Sequence, residues 1–380
     1  AEVSVGRIPI SDPSRITYAL NKIVSFEQDT GAWKHHALAP GAFFYFSNET
    51  APNTGAMDGA RTSAVIADDF MDDWTVSRYT EQDGLETSLY PGTTLTEAAW
   101  TQDWRTNQYA IVNWGAHGWS DLIARKIWSF DDGDRIPEAN EMSWPTMLST
   151  NSNLDDDYPS IVTAISCYVG YPEPNSYGNL GVDLLTLPGF GAAVGVISSA
   201  RTPYGTLDWP TDLGGSDSIM YEFNNNLINR SMSLGDALFA SKFFCTTQYG
   251  WNSYEEYLDL YTFNLFGDPS MSLEGKEGNI PYVHITRPEN GVYLFNRLVL
   301  AWAKPLIIGA VDVQVTASDL ESGVAYVQFL VDGEVVGNVS AEPYTWRWAQ
   351  RSFGEHTLSV RAYNATGSFA VDELRVKKFF

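Results

Sequence analysis

At 380 residues and 42.2 kDa the chain exceeds one ordinary core and falls short of four, so two domains are expected. Hydrophobic residues at 44% against 18% charged, with 13 Trp, 20 Tyr and 19 Phe, exclude a disordered or collagen-like chain. A formal charge of −24 repels phosphate backbones and anionic lipid, which argues against nucleic acid as a partner.

The first element in chain order is a helix opened by Ser11-Asp-Pro-Ser, with Ile16, Leu20, Ile23 and Val24 at helical spacing and proline where a first turn tolerates it. Five short apolar runs follow: Ala64 to Ala67, Tyr109 to Trp114, Ile161 to Ser166, Ala192 to Ser198 and Phe263 to Phe266. Their apolarity is continuous rather than alternating, which predicts strands buried on both faces of a mostly parallel sheet flanked by helices, an α/β domain. A further helix is predicted over Met232 to Phe244.

Gly275-Lys-Glu-Gly-Asn-Ile-Pro281 is polar and rich in turn formers, and it divides the chain into a first domain over 1–274, a linker over 275–281 and a second domain over 282–380. Beyond it the period changes to two. Val311, Val313 and Val315 alternate with polar residues, as do Leu358, Val360 and Ala362, and Asp332-Gly333 and Phe353-Gly354 read as turns. About a hundred such residues have the size of an all-β sandwich. The apolar stretch from Leu298 to Val311 is broken by Lys304-Pro305 and is shorter than the ~20 residues of a membrane span, so it reads as buried strand. No signal peptide stands at Ala1.

Two cysteines, Cys167 and Cys245, cannot build a disulfide framework, although one bridge between them is compatible with the count. Sequons at Asn48, Asn229, Asn338 and Asn364 are candidate glycosylation sites. Five histidines are scattered, with no His-Glu-x-x-His or paired Cys-x-x-Cys, so zinc is not expected. A Gly-x-Ser-x-Gly elbow and a phosphate-cradling loop are also absent, which sets aside a serine hydrolase. Asp131-Asp-Gly-Asp134 and Asp155 to Asp157 are candidate calcium ligands, on a spacing that matches no EF-hand.

Two segments carry chemistry. Ile111-Val-Asn-Trp-Gly-Ala-His-Gly118 runs a buried strand into His117 between glycines, and Ile161-Val-Thr-Ala-Ile-Ser-Cys-Tyr-Val-Gly170 does the same with Cys167. Taken singly, His117 reads equally as a turn histidine and Cys167 as an inert core residue. As neighbours at the carboxyl ends of parallel strands they form a nucleophile with its acid/base partner. Cys245, among aromatics on a helix, reads as core.

These segments, with Val5-Gly-Arg-Ile-Pro9 before the first helix and Asn264-Leu-Phe-Gly-Asp-Pro-Ser270 as a closing strand, resemble the gingipain-like cysteine peptidases, relatives of the caspases, in order and spacing across 1–274. The resemblance implies a cysteine endopeptidase acting on proteins or peptides, with Cys167 as nucleophile, His117 as acid/base, and the N–H groups of Gly118 and Cys167 as oxyanion donors. It also implies an acid orienting His117, for which Asp68 and Asp69 are the candidates; solvated carboxylates or calcium ligands are the other readings of that run. Specificity-pocket walls are implied in Ala200 to Trp209, where Tyr204 and Trp209 stand. No cofactor is required by this chemistry. An upstream subdomain or propeptide is a further implied partner.

The second region, through Glu342-Pro-Tyr-Thr-Trp-Arg-Trp and Gly354-Glu-His-Thr-Leu-Ser-Val, resembles the bacterial Ig-like modules of secreted microbial proteins, which implies an extracellular or cell-surface setting. The alternative is a non-catalytic structural, filament-forming or adhesive protein that keeps the peptidase fold and self-associates.

Overall fold

The computed structural model describes residues 4–154, 157–173, 178–251, 253–274, 281–319, 323–365 and 368–380. Two compact units emerge, one of Ala1–Asn229 with Ser233–Gly275, the other of Arg230–Met232 with Lys276–Phe380.

The first unit is built on a seven-stranded sheet in the order Phe263–Gly267, Ala193–Ser199, Ser160–Ile165, Ile111–Gly115, His36–Gly41, Thr75–Thr80, Thr93–Thr94. All pairings are parallel except the first, where Phe263–Gly267 runs against Ala193–Ser199. Ile111, Val112, Ile161 and Val162 are wholly inaccessible, and each such side chain stabilises the sheet by about 1.5–3 kcal/mol. That is why these strands read as unbroken apolar runs. One predicted strand is instead helical: Ala64 to Ala67 lies inside α2 (Ala60–Phe70), because its apolar positions pack against the sheet at helical rather than strand spacing.

α1 spans Pro13–Gln28, with Asp12 as N-cap accepting from the Ser14 N–H at 2.9 Å. Its buried face is Ala19, Ile23 and Phe26, whereas Leu20 and Val24 stay half-exposed. α3 (Glu97–Thr106) delivers Trp100 and Trp104, which stack at 5.5 Å and pack with Trp114 of the histidine strand at centroid separations of 6.3 and 6.5 Å. α4 (Leu180–Thr186), α5 (Gly215–Ile228), α6 (Leu234–Thr247) and α7 (Tyr254–Thr262) complete the covering layers, α6 matching the predicted helix.

The second unit is a β-sandwich of a three-stranded sheet, Tyr282–Arg287, Val311–Ser318 and Tyr344–Trp348, and a seven-stranded one whose centre is Val324–Val331, Phe353–Asn364 and Phe369–Phe379. Val311, Val313 and Val315 point inward with Phe329, Trp348 and Val360, as their alternation predicts. The stretch expected as one buried strand is two short ones, Arg297–Leu300 and Leu306–Ile308. Leu298, Val299 and Leu300 are exposed, because Arg297–Leu300 is the outermost strand of its sheet. Asp332-Gly333 turns with positive φ at both residues, but Phe353 and Gly354 already belong to a strand. Among the described residues no helix is long and apolar enough to cross a membrane.

Candidate active site at the tips of two strands

The Ile111–Gly115 and Ser160–Ile165 strands are direct parallel neighbours, with Ile161 opposite Ile111 and Ile165 opposite Gly115. The Ala116 N–H continues the ladder to the Ile165 carbonyl at 3.1 Å. Side chains then lock the tips together. The Trp114 indole N–H donates to Ser166 Oγ at 3.1 Å, and that hydroxyl donates to the Ala116 carbonyl at 2.8 Å. His117 and Cys167 are therefore the next residues out on adjacent strands, and both are half-buried.

Glycine makes this approach feasible. A Cβ on Gly118 would stand 2.7 Å from the Cys167 carbonyl oxygen and 2.9 Å from Ser166 Cβ. Past the cysteine, Tyr168 takes a left-handed φ of 61°, a conformation that costs a non-glycine residue on the order of 1 kcal/mol. The turn is held by the Tyr168 N–H on the Arg201 carbonyl and the Gly170 N–H on the Ser199 carbonyl. Gly170 packs so tightly that a Cβ would lie 2.3 Å from the Ser198 oxygen.

Burial pushes the Cys167 thiol above its ordinary 9.0. The Thr202 hydroxyl and the backbone N–H groups of Gly118 and Cys167 work against that shift.

The imidazole is held by a backbone carbonyl. His117 Nε2 lies 3.0 Å from the Phe44 carbonyl oxygen, which can only accept, so Nε2 carries the proton and Nδ1 the lone pair. Burial holds this histidine below its usual 6.5; the Phe44 hydrogen bond opposes the shift and the charge of Lys126 adds to it. Trp144 meets the ring edge-on at 4.9 Å, and Phe44 does so at 5.8 Å.

A strand-borne imidazole and thiol at adjacent sheet tips is the arrangement of a cysteine hydrolase, and a family model now decides the matter: Peptidase family C25 matches residues 1–274. The chain belongs to that family. As a C25 member it is a cysteine peptidase, and a Bacterial Ig domain model matches residues 281–360. Among solved structures, the Arg-specific cysteine proteinase gingipain R aligns at 15% identity and a TM-score of 0.49 over 99% of this chain and 75% of its own. A structure described only as a protease aligns at 14% identity and a TM-score of 0.49, covering 97% and 73% of the two chains. The fibronectin(III)-like modules of Clostridium thermocellum CbhA align at 28% identity and a TM-score of 0.21, over 26% of this chain and 47% of theirs. Comparison with curated proteins returns no match.

In this C25 unit the acids Asp68 and Asp69 do not reach His117. They sit at the C-terminal end of α2, whose other end packs against the strand tips through Ala60 on Gly41 and Gly59 on Gly115. Eight helical residues separate the two ends by about 12 Å. Asp68 pairs with Arg78 at 2.8 Å, and Asp69 accepts from the Tyr221 hydroxyl at 2.8 Å. The Phe44 carbonyl occupies the place they were expected to fill.

Trp209 is likewise no exposed wall. It is 3% accessible, its indole N–H donates to Ser218, and it packs edge-on against Tyr221. Tyr204 is half-exposed, with its backbone N–H 3.1 Å from the Asp259 carboxylate. From the same segment it is Thr202 whose hydroxyl acts on the thiol, lowering its pKa against burial. Cys245 is fully buried on α6, as expected of core.

Asn48, Asn229 and Asn338 are exposed. Asn364 is only 2% accessible and its amide donates to Asp319, so it is no acceptor for a glycan. The carboxylates of Asp131, Asp132 and Asp134 gather closely, but Asp131 accepts the Gly133 and Arg135 N–H groups and Asp134 that of Ile136, bonds that by themselves shape the turn. Of the other acidic run, Asp155 and Asp156 lie outside the described residues.

No motif in the sequence marks Phe44, Thr202, Lys126 or Glu49. A backbone carbonyl carries no residue signature. The one available signal was the Arg125-Lys126 pair inside the otherwise apolar Leu122 to Trp128, two cations where a buried segment would not hold them without partners.

Proposed function

We propose that the chain is a secreted cysteine endopeptidase in which Cys167 is the nucleophile and His117 the general acid/base. The thiol proton passes to His117 Nδ1 as sulfur bonds to the scissile carbonyl carbon, and the carbonyl oxygen becomes an oxyanion facing the Gly118 and Cys167 N–H groups. The imidazolium then returns that proton to the departing amine, which leaves a thioester. Water attacks the thioester while His117 accepts its proton, and the acid product departs as Cys167 recovers its hydrogen.

The observation that carries this reading is the committed Nε2–H on Phe44, which leaves Nδ1 as the ring's basic nitrogen on the tip beside the sulfur's strand. A half-buried thiol on the adjacent strand tip, with the Gly118 and Cys167 N–H groups acting to lower its pKa, supports the same assignment. Export is supported by the bacterial Ig domain, a module suited to spacing an enzyme from a surface. The test is labelling of Cys167 by peptidyl halomethyl ketones across a library of side chains at the cleaved bond. Labelling that disappears in His117→Ala is expected. Failure of every library member to modify Cys167 between pH 5 and 9 would leave the chain a non-catalytic surface protein.

A further inference from the structure

Beyond the histidine, the His117–Gly118 strand pairs antiparallel with Ile123–Ala124, and this return brings Lys126 back beside the site. Its side chain is only 5% exposed. The ammonium forms an ion pair with Glu49 and lies 3.2 Å from the Phe44 carbonyl oxygen, the same atom that accepts from His117 Nε2. Tyr45, Phe46 and Trp144 surround it with ring centroids at 5.1–5.7 Å, and Trp144 also covers the imidazole. The second oxygen of Glu49 accepts the Phe46 N–H at 2.8 Å. The segment that presents the carbonyl is thus pinned on both sides of residue 45.

A carbonyl oxygen has two lone pairs and can serve both donors. The ammonium sharing it has two consequences. It fixes where the carbonyl points, and so where the imidazole points. It also places a positive charge on the far side of that one oxygen, in a site shielded from water, where a second positive charge on the ring is disfavoured. The remaining titratable groups nearby are turned elsewhere: Asp58, paired across from Phe43, takes Ser88 and the Ala60 N–H, and Glu86 takes Ser47. Cys167 stands on the adjoining strand tip, and burial keeps it neutral.

We propose that Lys126, anchored by Glu49, is a positioning residue that acts through the Phe44 carbonyl to aim the His117 imidazole and to keep it uncharged until the thiol proton arrives. This rests on the reading of His117 as the acid/base, and two separate measurements keep the two apart. In the full chain with ring-labelled histidine, the His117 signal is assigned by its loss in His117→Ala, and its titration midpoint is followed by NMR. Lys126→Met is expected to raise that midpoint, by removing the ammonium and leaving Glu49 facing the ring. Glu49→Gln, which keeps the ammonium and removes the counter-charge, is expected to lower it. Mere loosening of the packing would move both variants in the same direction, and that result, or two unchanged midpoints, overturns the proposal. Where Lys126→Met does not fold, the Glu49→Gln midpoint alone decides: a rise or no change overturns it. Alkylation of Cys167 in the unaltered chain reports independently on the peptidase reading.

Discussion

The Ala116 N–H donates to the Ile165 carbonyl at 3.1 Å, the last rung of the ladder between two parallel strands before one chain presents His117 and the other, two residues on, Cys167. Register here is chemistry. Shifting one strand by a residue would turn its tip side chain to the opposite face of the sheet and separate the pair.

Both groups are neutral at rest, because burial raises the thiol above 9.0 and holds the imidazole below 6.5. A neutral imidazole is the base, so the acid limb of kcat/KM follows its protonation, and the lowered value moves that limb down. Peptide hydrolysis should stay at half its maximum or better to somewhere below pH 6.5. Cys167→Ala and His117→Ala should each reduce kcat by about 10³-fold or more. A pH–rate profile with an acid limb above 7 would contradict the neutral pair.

Gly118→Ala tests the contact between the tips. The added methyl group meets backbone of Cys167, which has no rotamer to yield, so the strands must part. A loss of about 1–3 kcal/mol in stability is expected, with a fall in kcat larger than any change in KM. Urea denaturation together with steady-state kinetics reads both quantities.

Asp68→Asn and Asp69→Asn should leave kcat/KM within about twofold of the parent and stability within ~0.5 kcal/mol. Their partners are Arg78 and Tyr221, at the opposite end of α2 from the imidazole. A large loss of activity in either variant would return the orienting role to a carboxylate.

Asp259 is wholly buried on α7, and burial raises its carboxyl to about 8, against which the Tyr204 N–H works. The folded protein therefore holds a proton that the unfolded chain releases near 3.8, so this group's contribution is intact below that value and is lost as pH rises towards 8. Asp259→Asn removes the titration. The variant should gain on the parent between pH 5 and 8 by an amount on the order of a few kcal/mol. Urea midpoints of the peptidase unit at the two pH values check this, and a parent whose midpoint rises over that interval would refute it.

Much of this was legible in the residues. The strands carrying His117 and Cys167 announced themselves because burial on both faces demands unbroken apolar runs, and glycines marked their ends because nothing larger fits there. The inward alternation of Val311, Val313 and Val315 identified the sandwich for the same local reason. His36, Pro40 and Gly41 mask the strand character of His36–Gly41, adjacent to the histidine strand, and the four apolar residues within α2 have no period of their own by which a helix could be told from a strand.

What orients the imidazole was decided only in three dimensions. Asp68 and Asp69 have the right charge and lie at the wrong end of a helix, whereas Phe44 has no charge and lies at the right place through its backbone. Lys126, 82 positions away from Phe44 in the chain, reaches the same carbonyl because a hairpin folds it back. Residue type and local spacing determine which segments become strands and where they must stop; which oxygen meets which nitrogen depends on packing between segments far apart in sequence, and no local pattern encodes that.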